Sequence, residues 1–214
     1  MTSFGDTNIV FSLEGPIGVG KSTVLKALEK KGYKIYPEPT HLWENELECF
    51  YKSQKDGDTK DSTRAALNLQ YKVIETLDDR YAEIDSINFY DRPVIVERSM
   101  LAGWHIFVEI NHKLHPHPSE WMAISKSYLD SCKMYEENLT RISLHHDNVE
   151  TLIARTKNRE GVDEDADEDY LRKVYDESLQ FENENCDYVV NVTNKGVEEI
   201  ANEIEVHMKD AIGF

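Results

Sequence analysis

Cysteine, basic residues and long apolar runs are all scarce in this sequence. The chain has only three cysteines, Cys49, Cys132 and Cys186, and none of them forms a C-x-x-C pair. This number and spacing give neither a disulfide framework nor a metal site, so we expect buried thiols in a reducing compartment. No apolar run approaches the roughly 20 residues that span a bilayer, and no basic leader precedes the first apolar segment. We therefore expect a cytoplasmic protein that does not bind a membrane.

The deficit of basic residues restricts the partners of the protein. Against 24 Lys and Arg stand 41 Asp and Glu, so the formal net charge is −17. Such an acidic surface repels a nucleic-acid polymer and an anionic membrane, although one basic pocket is enough to bind a small anion. With 40% apolar residues, a chain of 214 residues can bury a full core. We expect a single domain over residues 1–214.

One stretch near the start of the chain indicates a specific chemistry. A predicted strand at residues 8–14 leads into the motif G-x-x-x-x-G-K-S, and helical periodicity follows to residue 31. In this setting glycines turn backbone N–H groups towards phosphates, Lys21 adds a positive charge, and the Ser22 hydroxyl can bind Mg²⁺. The alternative is a glycine-rich turn that binds nothing. The residues predicted to bind a nucleoside triphosphate are Gly15, Pro16, Ile17, Gly18, Val19, Gly20, Lys21, Ser22 and Thr23.

Strands and helices alternate along the rest of the chain. Further strands are predicted at residues 33–37, 93–96, 141–145 and 187–193. Helices are predicted at residues 41–53 and 62–85, from the third strand to about residue 114, from a cap at Ser119 to about residue 138, after an Asp147 and Glu150 capping pair, from Tyr170, and from Val197. This alternation predicts an α/β fold in which a parallel sheet lies between helix layers.

Three polar segments interrupt these elements. Residues 54–61 are predicted to form an exposed loop. The same holds for the segment from His115 to Pro118, although its histidines could instead form a metal cluster with His112. Residues 160–169 hold seven acids in ten positions, which predicts a mobile, solvated loop, with Ca²⁺ binding as the alternative.

Charged residues follow three of the predicted strands, at Glu14, at Glu38, and at Glu97 with Arg98. The carboxyl ends of parallel strands meet at one edge of a sheet, where ligands bind. The alternative is that these residues are charged merely because they leave the core. Phosphoryl transfer requires a metal ligand, a carboxylate that acts on the acceptor, and cations for the transferred group. Ser22 with Glu97 could hold Mg²⁺, and Glu38 or Glu97 could act as the base.

Two further arginines are candidates for binding phosphoryl oxygens together with Arg98. Arg155 and Arg159 are four residues apart, so they lie on one helical face just before the acidic segment. This arrangement predicts a closing lid at about residues 155–168. On their own, two helix arginines would be typical of a solvated surface.

The predicted helix at residues 62–85 carries an apolar stripe that contains a single amide, Gln70. A buried amide needs hydrogen-bond partners, so Gln70 is a candidate binding residue. The stripe consists of Ala66, Gln70, Val73, Leu77, Tyr81 and Ile84.

Three motifs, Glu38-Pro-Thr-His-Leu-Trp43, Glu97-Arg-Ser-Met and Ile106-Phe-Val-Glu109, resemble those of the deoxyribonucleoside kinases. This family includes the deoxycytidine and deoxyguanosine kinases, mitochondrial thymidine kinase and the insect multi-substrate enzyme. The resemblance extends over about residues 8–205. It implies a P-loop kinase fold with a five-stranded parallel sheet, and a homodimer built from helices. It also implies transfer of the ATP γ-phosphate to the 5′-hydroxyl of a deoxynucleoside, with Mg²⁺.

The resemblance also implies roles for individual residues. Glu38 would be the catalytic base on the 5′-hydroxyl, and Glu97 and Arg98 would organise Mg²⁺ and the 5′-oxygen, beside the phosphate-binding Lys21. The nucleoside would be contacted by Trp43 as an aromatic wall, by Tyr51 at the 3′-hydroxyl, by Gln70 at the base edge and by Phe107 through stacking.

The sequence departs from the family pattern in three places. The loop before the base-reading glutamine is longer than usual. The acid expected near Val162 is displaced, so Asp163 or Glu164 would have to bind the 3′-hydroxyl. Trp104 and His105 stand where the family has arginine and tyrosine, and the sequence offers no physical account of that change.

The residues around Gln70 bear on the choice of base. Val73 and Leu77 share its stripe, and Gly103 lies four residues before Phe107, so all five are predicted to line one pocket. In family members that favour deoxycytidine and purines, arginine and aspartate stand at the positions of Leu77 and Gly103, whereas thymidine-accepting members keep them apolar or small. We expect a preference for thymidine, with deoxyuridine and more weakly deoxycytidine also accepted, and poor activity on purines.

Two other functions are open at this point. A nucleoside monophosphate kinase of the thymidylate type would need additional fixed cations, and usually carries R-E-P-G and D-R-Y in place of the motifs found here. A nucleotide-dependent regulatory switch would need a Mg²⁺-binding aspartate after the third strand, where this chain has Glu97.

Overall fold

A parallel sheet of five strands forms the centre of the described part of the chain, which comprises residues 10–56, 59–86, 93–115, 117–158 and 166–213 of this computed structural model. Its order is β2-β3-β1-β4-β5, and every pairing is parallel. The sheet confirms the predicted α/β fold, and its carboxyl edge brings the ends of β1, β2 and β3 together. The strands are β1 (Val10–Glu14), β2 (Lys34–Tyr36), β3 (Val94–Glu97), β4 (Thr140–His145) and β5 (Tyr188–Asn191).

Helices connect the strands, and a π-helical segment at Gly103–Val108 lies between two of them. Apart from the corrections below, the described boundaries lie within a few residues of those predicted. The helices are α1 (Lys21–Lys30), α2 (Glu44–Asp56), α3 (Thr59–Ser86), α4 (Met100–Ala102), α5 (Glu109–Leu114), α6 (Pro118–Tyr135), α7 (Val149–Lys157), α8 (Glu168–Asn185) and α9 (Val197–Ala211), and a short 3₁₀ turn at Thr40–Leu42 precedes α2.

The two faces of the sheet are covered by separate helix layers. Leu13 and Ile95 pack with α1 and α9 in one core. Val94 and Val96, which flank Ile95, pack with α3, α6 and α8 in the other. This alternation has the two-residue period of a strand and shows that the sheet is buried on both faces.

The prediction of an exposed loop at residues 54–61 is wrong. Helix α2 continues to Asp56 and α3 begins at Thr59, so residues 54–56 and 59–61 of this segment are helical. The Ser62 hydroxyl donates to the Ser53 carbonyl over 2.8 Å, which joins the two helix ends. Polar composition indicated contact with solvent, but glutamine and lysine are good helix formers and do not by themselves end a helix.

Two predicted helix caps are also wrong. Helix α6 begins at Pro118 after an N-cap at His117, and no side chain caps it in place of Ser119. Proline suits this first turn because an N–H there would have no intrahelical partner. Helix α7 is capped by Asn148 rather than Asp147, since the Asn148 side chain accepts from the N–H three residues further on over 3.2 Å.

Burial differs from the prediction at two kinds of residue. The sequence predicts an exposed loop at His115, but this residue is buried, with its ring centroid 6.4 Å from that of Phe50. The sequence predicts three buried thiols, but Cys49 is exposed because α2 turns Phe50 inwards, and Cys132 and Cys186 are only partly buried. The described residues contain no group of three or more His, Cys, Asp or Glu placed to hold a metal ion. No helix within the described ranges is long and apolar enough to cross a bilayer.

Candidate active site

The loop between β1 and α1 depends on glycine at three positions. Gly15, Gly18 and Gly20 have φ angles of 127°, 81° and 107°, which side-chain-bearing residues rarely adopt. A Cβ atom would lie 2.6 Å from the Leu144 carbonyl oxygen at Gly15 and 2.7 Å from that of Leu152 at Gly18. The loop is therefore pressed against β4 and α7, and its backbone turns into the N-terminus of α1, where anions bind well.

Lys21, the first residue of α1, folds back over this loop. Its Nζ donates to the carbonyl oxygens of Gly15 at 3.0 Å and Pro16 at 3.2 Å. Burial and the nearby charge of Arg98 lower the pKa of Lys21 to about 8. The two carbonyl oxygens compensate the charge of Lys21 only in part, and a bound polyphosphate would give its ammonium group anionic partners.

Ser22 and Glu97, the two predicted metal ligands, are in direct contact. The Ser22 hydroxyl donates to Glu97 Oε1 over 3.0 Å, and Glu97 Oε2 accepts from the Glu38 N–H over 3.3 Å. A hydroxyl and a carboxylate beside a phosphate-binding loop are the oxygen donors that Mg²⁺ prefers. These two side chains would hold a Mg²⁺ ion, which would supply positive charge beside bound phosphates.

Glu38 and Arg98 form an ion pair between the ends of β2 and β3. Arg98 Nε lies 3.1 Å from Glu38 Oε1, and the two side chains are 4% and 18% exposed. The guanidinium also lies 4.8 Å from the centre of the Phe107 ring. Its Nη1 atom is buried and has no partner among the described residues. An unpaired buried donor of this kind is suited to an oxygen of a bound ligand.

Arg80 on α3 supports these strand ends, a role that the sequence analysis missed. Its guanidinium donates to the carbonyl oxygens of Glu97 at 3.0 Å, Arg98 at 2.9 Å and Pro37 at 3.4 Å. The turn needs such support because Arg98 itself has a φ of 62°. A signal was present in the sequence, since Arg80 lies three residues after Leu77 on the buried side of α3.

Two cavities meet at the carboxyl edge of the sheet. The larger, about 610 Å³, is lined mainly by the phosphate-binding loop, α1 and polar side chains. The smaller, about 90 Å³, is lined mainly by aromatic and aliphatic side chains. The residues that line both are Ile17, Glu38, Thr40 and Arg98. A ligand in one cavity can therefore meet a ligand in the other beside the Glu38 and Arg98 ion pair.

The structure brings most of the predicted site residues to these cavities. Gly15 and Pro16 do not line the larger cavity but accept hydrogen bonds from Lys21. Arg159, with Asp163 and Glu164, lies outside the described residues. The larger cavity is lined by Ile17, Gly18, Val19, Gly20, Lys21, Ser22, Thr23, Glu97 and Arg155, and the smaller by Glu38, Trp43, Tyr51, Gln70, Val73, Leu77, Arg98, Gly103 and Phe107.

Sequence reasoning missed several residues that line the smaller cavity or hold one of its side chains in place. Thr76 accepts from the Trp43 indole N–H over 2.6 Å and so fixes the orientation of that ring. Tyr128 on α6 donates to the side-chain oxygen of Gln70 over 3.1 Å. Tyr170 on α8 also lines this cavity. None of the three belongs to a local motif, so only the folded arrangement reveals them.

Trp104 and His105 lie on the π-helical segment but line neither cavity. The His105 ring packs against Phe181, with 5.5 Å between centroids. Trp104 Nε1 and His105 Nε2 are buried and have no hydrogen-bond partner within the described part of the chain. Nothing in the structure explains why these residues occupy the two positions.

Comparisons with known proteins identify a family for this chain. A family described as deoxynucleoside kinase matches residues 11–210. A probable deoxycytidine kinase of fowlpox virus is 26% identical over 191 residues, which cover 87% of this chain and 77% of that protein. A thymidine kinase of ictalurid herpesvirus 1 is 31% identical over 112 residues, which cover 48% of this chain and 42% of that protein.

A solved structure shows the same fold. A deoxyadenosine kinase from M. mycoides superposes with a TM-score of 0.68 at 19% identity, and the match covers 94% of this chain and all of that one. Because the family match extends over nearly the whole sequence, from β1 into α9, the chain belongs to the deoxynucleoside kinase family.

Proposed function

We propose that this protein transfers the γ-phosphate of ATP to the 5′-hydroxyl of a deoxynucleoside, with pyrimidines preferred and thymidine most of all. The observation that supports this proposal best is the junction of the two cavities at Glu38 and Arg98. A polyphosphate in the larger cavity and a nucleoside in the smaller one would meet beside a carboxylate and a guanidinium. Phosphoryl transfer requires this juxtaposition.

The donor side would bind ATP through the loop of residues 15–22. Backbone N–H groups and Lys21 would hold the β- and γ-phosphates. Ser22 and Glu97 would hold Mg²⁺, which would neutralise part of the phosphate charge. Arg155 at the end of α7 lines the same cavity, and with Arg159 it would hold phosphoryl oxygens as part of a lid at about residues 155–168.

The acceptor side would use Glu38 as a general base. The bond from Arg98 Nε fixes one carboxylate oxygen of Glu38, and the other oxygen would accept the proton of the 5′-hydroxyl. The unpaired Nη1 of Arg98 would then donate to the 5′-oxygen or to the transferred phosphoryl group. Both residues act at the point where the two ligands meet.

The smaller cavity would hold the nucleoside between aromatic side chains. Trp43 and Phe107 would lie against the base, Tyr51 would bind the 3′-hydroxyl, and Gln70 would pair with the base edge. The cavity is small, so a one-ring base displaces its walls less than a two-ring base would. This favours pyrimidines. Two relatives that are named as a deoxycytidine kinase and a thymidine kinase support the same class.

The preference for thymidine follows from two positions without charge. Leu77 is buried and apolar, and Gly103 offers no side chain. Burial of the 5-methyl group of thymine there would contribute about 0.8 kcal/mol. We also propose that the whole chain is one kinase domain that acts as a homodimer, as the family resemblance implies.

A turnover assay tests this function. Purified protein with ATP and Mg²⁺ is supplied in parallel with thymidine, deoxyuridine, deoxycytidine, deoxyadenosine, deoxyguanosine and thymidine monophosphate. We expect the highest kcat/KM with thymidine and no phosphorylation of thymidine monophosphate. The highest kcat/KM with a purine deoxynucleoside would overturn the base preference, and activity on the monophosphate alone would overturn the acceptor.

A further inference from the structure

Tyr128 is a buried residue that no motif predicts, and it touches the side chain proposed to bind the base edge. It lies on α6 with no solvent exposure, and its hydroxyl donates to Gln70 Oε1 over 3.1 Å. Gln70 lies on α3 and is 3% exposed. Both side chains line the smaller cavity, together with Gly103. The contact joins two helices at the wall of the proposed nucleoside site.

We infer that Tyr128 is a specificity-determining residue, because its hydroxyl sets the orientation of the Gln70 amide and so decides whether the site favours a keto or an amino base. The inference rests on the proposed function and deepens it. It concerns one hydrogen bond and the donor and acceptor pattern that this bond leaves for the substrate.

The hydroxyl favours one of the two possible amide orientations. Burial, and then the charge of Glu38, raise the pKa of Tyr128 well above its usual value, so the hydroxyl keeps its proton. That proton needs an acceptor, and Gln70 Oε1 is the one that the described residues provide. If the amide were reversed, Nε2 would face the hydroxyl and the phenolic proton would be left unpaired. An unpaired buried donor is disfavoured by about 5- to 150-fold in population.

The backbone at Gly103 allows this contact. A Cβ atom there would lie 3.2 Å from Tyr128 Cε1 and 3.8 Å from its hydroxyl oxygen. The first distance is too short for relaxed packing, so a side chain at Gly103 would push the Tyr128 ring away. The absence of a side chain at Gly103 and the position of Tyr128 therefore belong to one arrangement.

The orientation matters because keto and amino bases present opposite edges. Thymine offers an N3–H donor beside the O4 acceptor, whereas cytosine offers an N3 acceptor beside an N4 donor. An amide can pair with either base at the same position only by exchanging its oxygen and nitrogen. Guanine and adenine differ in the same way at positions 1 and 6. Thymine with cytosine, and guanine with adenine, thus form two couples of one keto and one amino base. A Gln70 amide that Tyr128 holds in one orientation pairs well with one base of each couple and poorly with the other.

The variant Tyr128→Phe tests the inference. It keeps the ring beside Gly103 and removes only the hydroxyl, so the amide is free to reverse. The kcat/KM of the wild type and the variant is measured for thymidine and deoxycytidine, and for deoxyguanosine and deoxyadenosine. We expect the keto-to-amino ratio within the preferred couple to move towards one by about fivefold or more. A thermal melt checks that the variant is folded.

Tyr81→Phe is the matched control. Tyr81 is also buried, and its hydroxyl donates to Glu136 over 2.8 Å, but it does not line the smaller cavity. Its loss should lower both members of a couple by the same factor and leave the ratio unchanged. A ratio in Tyr128→Phe that stays within twofold of the wild type overturns the inference while the proposed function stands. A wild type that phosphorylates no deoxynucleoside overturns both.

Discussion

The two cavities of the candidate active site are assembled in different ways. The larger is formed chiefly by consecutive residues of one loop and the helix after it, through backbone geometry that three glycines permit. The smaller cavity is lined by side chains that come from several separate elements, namely α2, α3, the π-helical segment, α6 and α8. All nucleoside triphosphates carry the same phosphate groups, so a local motif suffices to bind them. Under the proposed function, the smaller cavity has to distinguish one nucleoside base from another, which requires side chains from several elements.

The largest effect is expected from a change in the larger cavity. Lys21→Ala should reduce kcat by about 10³-fold or more, because it removes the positive charge that in the proposed mechanism stabilises the transferring phosphoryl group. The circular dichroism spectrum should stay unchanged. The control is Lys30→Ala, which removes an exposed lysine from the other end of α1 and should keep full activity. Activity that persists in Lys21→Ala would mean that this loop does not bind the donor.

The next effect concerns the residues shared by both cavities. Glu38→Gln should lower kcat by about 10² to 10⁴, the usual contribution of general-base catalysis. The amide can still accept the hydrogen bond from Arg98 Nε, so affinities for nucleoside and ATP should change little. Single-turnover rates and binding titrations on the same protein separate these two quantities. Near-normal turnover would exclude Glu38 as the base.

Arg80 tests whether the junction depends on support from the buried side of α3. Arg80→Met keeps much of the volume but leaves the carbonyl oxygens of Glu97 and Arg98 without their donor. We expect a loss of about 3 kcal/mol in the free energy of unfolding. We also expect kcat to fall by about tenfold, because Glu97 and Arg98 lose their fixed positions.

Arg64→Met provides the comparison for Arg80, since Arg64 is an exposed residue of the same helix. It should alter neither stability nor kcat. If Arg80→Met loses stability but keeps the wild-type kcat at a temperature where it is folded, Arg80 supports the fold and does not position the catalytic residues.

The same contrast between cavities explains what the sequence could predict. The loop, the strand ends and the stripe of α3 were predictable because each is local: a motif, a strand terminus or a helical period. Trp43, Tyr51 and Phe107 were reached only through resemblance to a family. Tyr128 and Arg80 were missed since their partners, Gln70 and the turn after β3, are distant in sequence. Residues 54–61 were misjudged because polar composition predicts exposure and not backbone conformation.

The smallest effect, and the finest test of the smaller cavity, concerns the 5-methyl group of thymine. Gly103→Ala adds a methyl group that would lie 3.2 Å from Tyr128 Cε1, so the alanine side chain and the displaced ring would both occupy the cavity. Thymidine should then lose more kcat/KM than deoxyuridine, because the two nucleosides differ only in the 5-methyl group. The expected difference is about fourfold, equivalent to the roughly 0.8 kcal/mol gained by burying one methyl group.

Deoxycytidine in the same assay separates two causes of lost activity in Gly103→Ala. If the alanine only fills space, thymidine alone should decline relative to deoxyuridine, and the ratio of deoxyuridine to deoxycytidine should be unchanged. If the alanine also displaces the Tyr128 hydroxyl, Gln70 is released and that ratio should move towards one as well, as in Tyr128→Phe. Equal losses for thymidine and deoxyuridine would mean that Gly103 does not lie beside the 5-position of the base, and the argument for thymidine from this position would then fail.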